Sequence, residues 1–552
     1  MELLDGRCND EDEYVVKGER SDCVPEPKGL GYEFFEVMSR YRLLRAQVDA
    51  ISGMGDTYGS LLERSVATAI KMRKMGIKSK DVITVCGVNH LNSCVPIIAA
   101  LFVGAVPACL DPLWPKPEIT RVLNLVKPKI VFVDQALIEV VEDALSQTNA
   151  DATTVTFGDS EKYAEFKHFV AEKPDVDFHP YETSDNRETA CVFFSSGSTG
   201  FPQGISLSHR ALLGQANVLV SSGLCFDTSL SYATQNWISS AVTFFPTILA
   251  GGCRVIVPAF APQGFWELQE RFSVTFSVFS STQAIALVKH GRPNGVDTSH
   301  LRDLLIGGAL LSAHHLQALR ELCPSTNCSI AYGLTECSGI VITFNRLSRR
   351  EIALMYAKPG SSGLISADFA CKIVNPRTGA TLGPNQNGEL CMKSDYVMNG
   401  YYGMDSKESL YPDGWLRTGD LGYYDQDRCF YILGRLTETF KFKDYDISPA
   451  LIEGTLVTHP LIQSAIVIGI PDEESGNQPL AVVCVTEGCR NVGEEEVVKY
   501  VEERMPDQYR LRGGVRFARA LPFTTTGKPR KAHLTKLILS GKFNFFSVAP
   551  GI

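Results

Sequence analysis

The stretch Ser195-Ser196-Gly197-Ser198-Thr199-Gly200-Phe201-Pro202-Gln203-Gly204 constrains this chain more than any other. It follows the apolar run Cys191-Val192-Phe193-Phe194, which reads as a buried strand, and precedes residues 208–222, which read as a helix. A strand, a small-residue loop and a helix together make a phosphate cradle. Glycines let the backbone approach the anion, Ser and Thr hydroxyls donate hydrogen bonds, and the helix N-terminus presents the positive end of its dipole. No Gly-Lys-Ser or Gly-Lys-Thr closes the loop, so it is not a Walker A motif, and it lacks the dinucleotide fingerprint. A Gly/Ser loop on its own is more often a plain surface turn, so the rest of the chain has to decide.

The 552 residues suggest about two to four domains. Apolar content of 44% and charged content of 21% are those of a globular protein with a sizeable core. A net charge of -9 argues against nucleic-acid binding. The 16 cysteines form no Cys-x-x-Cys pair and no zinc-type spacing, and nothing at the N-terminus reads as a signal peptide. Reduced thiols in an intracellular protein are expected. Residues 94–110 carry no charge but contain Pro96, Gly104 and Pro107. They are short for a bilayer crossing, so a buried helix running into a strand is expected rather than a transmembrane segment.

Along the chain, β-branched strands alternate with helices, the pattern of βαβ units and parallel sheets. Strands are expected at 81–88, 106–110, 129–134 and 153–157, with helices at 92–103, 119–126 and 136–147 between them. After a polar stretch at 173–188 the alternation resumes. Strands are expected at 229–234, 254–257, 274–278, 304–306 and 329–331, and helices at 241–250, 265–271, 282–289 and 313–322. From about 358 to 432, short strands separated by Gly, Pro, Asn and Asp predict a small antiparallel or barrel-like subdomain. Beyond Arg435 the chain returns to mixed strands and helices. The expected organisation is a flexible lead at 1–30, a large domain at 31–435 and a C-terminal domain at 436–552. The fold class is α/β: parallel-sheet subdomains plus the β-rich subdomain, followed by a small α+β domain.

Three further stretches accompany the loop: Tyr332-Gly333-Leu334-Thr335-Glu336, then Gly414-Trp415-Leu416-Arg417-Thr418-Gly419-Asp420 running on to Gly434-Arg435, then Thr526-Gly527-Lys528. In this order, from residue 195 to residue 528, the chain resembles the AMP-forming adenylate ligases. These include acyl-CoA synthetases, 4-coumarate–CoA ligases and firefly luciferase. The resemblance extends from about Gly53 to Ile538. It implies an enzyme in which a carboxylate attacks the α-phosphorus of ATP, giving an acyl-adenylate and pyrophosphate, and the thiol of coenzyme A then displaces AMP. It also implies a mobile C-terminal lid domain that turns about Arg435 to Thr437.

The resemblance assigns roles residue by residue. The loop residues Ser195, Ser196, Gly197, Ser198, Thr199, Gly200, Gln203 and Gly204 would hold phosphates, with Gly308 and Ala309 beside the nucleotide. Tyr332 would stack on adenine next to Gly333, Thr335 would bond the α-phosphate, and Glu336 would hold Mg²⁺. A carboxylate is the hard oxygen ligand that this ion takes. Asp420 would accept the ribose hydroxyls, as an ionised carboxylate can, with Arg435 beside it. Lys528 would hold the reacting carboxylate, and Lys441 belongs to the thiol-transfer half. Trp237, Ser239, Gly307, Leu334, Gly339 and Ile340 would wall the acyl pocket against helix 241–250.

Three residues depart from the family pattern. Gln203 stands where lysine is common, Thr437 where the hinge carries Asp or Lys, and Asp444 where a glycine admits coenzyme A. The pocket walls are small or apolar, so the expected substrate is a monocarboxylic acid with an apolar tail, fatty or aryl-propenoic. The alternatives are a luciferin-type monooxygenase and a weakened acyl-adenylate-binding pseudoenzyme. ATP, Mg²⁺ and coenzyme A are the expected cofactors, and the protein is expected to be a monomer. The final Ala549-Pro550-Gly551-Ile552 is not a Ser-Lys-Leu type address, so the cytoplasm is expected rather than the peroxisome.

Overall fold

The computed structural model describes residues 13–172, 177–196, 202–406, 409–411, 413–443, 445–485, 492–522 and 530–543; of Ser196 only the backbone is described. Two α/β layers form the first part of the chain. In one, Val106–Pro107, Val82–Cys86, Ile130–Val133, Thr153–Thr156 and Ala164–Glu165 lie side by side and parallel. In the other, Asn327–Ile330, Asp303–Gly307, Phe276–Ser280, Thr228–Ser231, Cys253–Ile256 and Arg45–Asp49 are parallel, and Gly55–Thr57 adds an antiparallel edge. Their strands are rich in Val, Ile and Leu because helices cover both faces. The uncharged stretch is resolved as expected. Val95–Val103 is a helix buried on every side, stopped by Gly104 at φ 80°. Among the described residues no helix is long and apolar enough to cross a membrane.

Two expectations are corrected. The phosphate-loop strand does not run through a loop into a helix. Thr189–Ser196 turns back as an antiparallel hairpin with Pro202–Ser208, which pairs Gln203 with Ser195 and Gly204 with Phe194. Helix His209–Ser221 starts only after that second strand, capped by Ser208, whose hydroxyl accepts from Ala211 N. Seven extended residues span over 20 Å at about 3.4 Å each, so the helix dipole lies at the wrong end of the hairpin to act on the loop. The reason is side-chain alternation. Ile205 and Leu207 are needed in the core shared with Cys191 and Phe193, while Val192 and Phe194 face the first α/β core.

The second correction concerns the lead. Residues 1–12 lie outside the described residues, but the following residues are docked. Val16–Lys17 pairs antiparallel with Cys371 and Ala370, and Val16 is buried. Leu30–Arg40 is an amphipathic helix with Phe34, Val37 and Met38 in the core.

From residue 358 to 435 the described residues form strands and turns with no helix. Ala370–Val374, Gly388–Lys393, Leu416–Tyr424 and Phe430–Arg435 form an antiparallel sheet with Val16–Lys17 and Thr381–Leu382. The C-terminal domain has its own five-stranded sheet around the long hairpin Ile462–Asp472/Gly476–Val485. Alternate residues serve two faces. Ala465, Val467, Ala481 and Val483 pack under the helices Pro449–Leu456 and Glu494–Glu502, and Ile466, Ile468, Val482 and Cys484 pack against Leu534 of the last helix, Lys531–Leu539.

Candidate active site

The hairpin Tyr332–Leu334/Gly339–Thr343 has Thr335–Cys337 as a single 3₁₀ turn at its tip. Ser338 at φ 62° and Gly339 at φ 143° close the turn. A side chain at Gly339 would sit 2.8 Å from Val242 Cγ2, so only glycine lets the tip press on helix Ile238–Leu249. Glu336 is thereby held at the tip. Its carbonyl accepts from Met398 N at 2.8 Å and its carboxylate lies 3.5 Å from the Tyr401 hydroxyl.

Tyr332 is 9% exposed, and its hydroxyl donates to Asp420 Oδ2 at 2.6 Å. Asp420, 6% exposed, stands directly across the sheet from Arg435, whose Nε lies 3.0 Å from Asp420 Oδ1. Arg435 Nη1 also donates to Thr418 O at 3.0 Å. Burial, reinforced by the Asp420 charge, pushes the Tyr332 phenol well above its ordinary range. Burial opposes the Arg435 charge, but Asp420 together with Tyr332, Glu336 and Glu438 outweighs it and raises the guanidinium pKa. A neutral phenol, a carboxylate and a fixed cation therefore meet at one point. Such a set can accept hydroxyls and neutralise an anion.

The sequence reading missed two residues. Glu389, 2% exposed, accepts Gly419 N at 3.1 Å and Arg417 Nη2 at 3.0 Å, fixing the Thr-Gly-Asp turn from beneath. Tyr401 borders Glu336. A glutamate in a strand and a tyrosine beside a glycine carry no chemical signature of their own, so only the pairing reveals them.

The remaining candidates fall into place unevenly. Ser195 and Gln203 face each other at the loop end of the hairpin, half-buried, while Gly197 to Gly200 and the Ser196 side chain lie outside the described residues. Gly307 ends a strand, and Gly308, at φ 84°, and Ala309 follow it exposed. Ser281 Oγ donates to Ala309 O at 2.7 Å. Trp237 and Ser239 are half-buried at the start of helix Ile238–Leu249. Leu334 is 9% exposed and packs in the main core.

Ile340, expected as a pocket wall, is buried with Leu219, Phe226, Val242 and Leu305. Two cavities of about 20 Å³, each room for roughly one water, flank helix Ile238–Leu249; they share Gln235, Ser240 and Phe244, and neither is lined by an expected wall residue. Lys441 sits on Phe440–Phe442 in the C-terminal domain, 2.9 Å from Asp446 Oδ1. Asp446 also meets Arg377 of the β-rich sheet at 3.2 Å. Lys528 and Asp444 lie outside the described residues.

Residues 39–402 match the AMP-binding enzyme family, and residues 451–528 match the AMP-binding enzyme C-terminal domain. A luciferin 4-monooxygenase of Photuris pensylvanica is 31% identical over 523 residues, 90% of this chain and 93% of that one. The 4-coumarate–CoA ligase-like 9 of Arabidopsis thaliana is 28% identical over 506 residues, 90% of this chain and 87% of that one. Among solved structures, the luciferase-like enzyme from the nonluminescent mealworm Zophobas morio is 33% identical with a TM-score of 0.74, covering 77% of this chain and 100% of that one. ATP-bound MatB from Rhodopseudomonas palustris, 22% identical, covers 93% of this chain and 100% of its own with a TM-score of 0.82, a likeness of fold. The chain belongs to the AMP-binding enzyme family and is an adenylate-forming enzyme.

Proposed function

We propose that this enzyme activates an apolar monocarboxylic acid with ATP and passes the acyl group to coenzyme A. The observation that carries the adenylating half is the convergence of Tyr332, Asp420 and Arg435 through contacts of 2.6 and 3.0 Å. In this reading Asp420 accepts the ribose hydroxyls, Tyr332 lies along the adenine and Arg435 faces the α-phosphate. Ser195, Gln203 and the intervening loop hold the outer phosphates, and Lys528 orients the acid. Glu336 fits Mg²⁺. Among the described residues no group of three His, Cys, Asp or Glu could cage a metal ion, and this ion takes one or two carboxylates with phosphates and waters. When bound it supplies charge neutralisation on the phosphate oxygens. We place the boundary between the large and C-terminal domains at Arg435 and Leu436. The test is pyrophosphate release with ATP, Mg²⁺ and a panel running from butyrate to palmitate and 4-coumarate, repeated with coenzyme A. Release with no acid of the panel sinks the substrate class, and release without thioester sinks the second half.

A second reading, oxygenation of an adenylate, draws support from the likeness to luciferin 4-monooxygenases. Light from D-luciferin with ATP and O₂, and no thioester from any acid, would favour it.

Two outcomes follow for this reading. Gln203→Lys is expected to lower KM for ATP, because one added charge-assisted hydrogen bond contributes roughly 1–3 kcal/mol, or about 5- to 150-fold. Acid preference should not change. An unchanged or raised KM would mean that the hairpin holds the triphosphate without this position. Trp237→Ala should broaden the acid profile toward bulkier tails and weaken small acids, since a half-buried indole beside the helix limits girth. Succinate and malonate should be poor with both proteins, because a second carboxylate would be desolvated without a partner. Identical chain-length profiles would make Trp237 a packing residue only.

A further inference from the structure

Lys531 opens the last helix, Lys531–Leu539, and its side chain is 10% exposed. Its ammonium lies 2.8 Å from Glu438 Oε2 and 3.1 Å from Glu453 Oε2. Glu453 is 13% exposed, and its other oxygen accepts Val467 N at 2.7 Å, so it is tied to the sheet of the C-terminal domain. Glu438 is different. It ends the short turn Leu436–Glu438 that immediately follows Arg435. Burial opposes the Lys531 charge, yet the two carboxylates outweigh it and raise its pKa. One buried cation thus joins the body of the C-terminal domain to the linker.

On the other side, the linker is held by Arg435 through its Asp420 ion pair and its place in the β-rich sheet. Leu436 and Thr437 alone separate the two attachments. The Thr439 hydroxyl donates to Arg435 O at 3.0 Å and Thr439 N to Leu436 O at 3.2 Å, folding the turn over these two residues.

We propose that Lys531 and Glu438 are positioning residues: their ion pair fixes where the linker enters the C-terminal domain, and confines any pivot to Leu436 and Thr437. The part that concerns catalysis rests on the adenylation reading above; the mechanical part does not. The charges make the test selective. Lys531 with two glutamates is a triad of net charge -1, so removing either carboxylate leaves a neutral buried pair and no orphaned ion. Glu438→Gln cuts the linker free. Glu453→Gln makes the same charge change and leaves the linker held.

Hydrogen exchange in the full-length protein reads the mechanics directly. In Glu438→Gln, amides of residues 436–440 should exchange at least tenfold faster than in wild type, while those of the last helix are unchanged. Glu453→Gln should keep wild-type exchange over 436–440. Glu438→Asp, which keeps the charge and withdraws it by one methylene, should move in the same direction by less, and serves if the glutamine variant does not fold. Pyrophosphate release with dodecanoate, or whichever acid of the panel is turned over, should fall about tenfold in kcat for Glu438→Gln, with KM for ATP within twofold. Unchanged exchange in both Glu438 variants, or equal effects of Glu438→Gln and Glu453→Gln, would overturn the proposal. Faster exchange without pyrophosphate release from any protein, wild type included, would refute the adenylation reading and leave the linker attachment standing.

Discussion

Asp420→Ala is expected to lower kcat/KM for ATP in pyrophosphate release about 100-fold, equivalent to about 2.7 kcal/mol at 1.36 kcal/mol per decade. The carboxylate is buried, accepts from Tyr332 at 2.6 Å and is ion-paired with Arg435 at 3.0 Å. A carboxylate offers about four lone-pair sites, so these partners are compatible with ligand hydroxyls. Hydrogen bonds to a charged acceptor contribute about 1.5–3 kcal/mol each, so losing one or two with the ribose accounts for the expected size. The substitution also leaves the Tyr332 hydroxyl buried without its acceptor and Arg435 without its counter-ion.

Asp420→Asn separates these effects. It retains the shape and one acceptor, and should fall between wild type and Asp420→Ala. Tyr332→Phe removes only the hydroxyl and should cost less than about tenfold, because the remaining carboxylate contacts persist. Thermal melting of each variant checks that the fold survives. Wild-type kcat/KM in Asp420→Ala would remove this residue from the nucleotide site.

The route from sequence to structure was direct where burial is complete on both faces. Val82–Cys86, Ile130–Val133 and Asp303–Gly307 are runs of β-branched and leucine residues with helices before and after, and that pattern leaves parallel strands as the physical solution. It failed where a strand owes its existence to a partner. Pro202-Gln203-Gly204 has turn chemistry, and it is extended because Ile205 and Leu207 continue the hairpin into the core. Val16–Lys17 sits in a charged stretch and is ordered by its pairing with Ala370 and Cys371. Two-residue strands have no periodicity to read.

The same division holds at the site. Tyr332, Asp420 and Arg435 are separated by long stretches of chain, and no local pattern says that they touch. They were found because motifs carry the memory of a shared geometry. Glu389 has an equally close role beneath the Thr-Gly-Asp turn, yet it belongs to a strand where a glutamate is ordinarily a solvated residue. Ile340 lies beside Gly339 in the sequence. Gly339 presses on Val242 of helix Ile238–Leu249, and Ile340 shares a buried cluster with that same Val242.

Lys528→Ala is expected to reduce acyl-adenylate formation by about 100-fold or more, the scale of losing a preorganised group that meets developing charge. Lys528 lies outside the described residues, but both sides of its segment are placed. Arg530 N donates to Pro522 O at 2.8 Å, so the chain is closed at the base of residues 523–529. Lys531, the next fixed point, is held in the buried triad with Glu438 and Glu453.

The charge should matter while an anionic acid approaches the phosphate, and much less once the adenylate exists. Transfer from supplied acyl-adenylate to coenzyme A should therefore fall less than tenfold in Lys528→Ala. Lys528→Arg keeps the charge but spreads it over a planar fork, which does not substitute for a compact ammonium at a single oxygen. It should recover only part of the loss. The measurement is single-turnover adenylate formation beside single-turnover thiolysis, on the same preparations. Equal losses in the two half-reactions would assign Lys528 to the integrity of the C-terminal domain instead of to the chemistry at phosphorus.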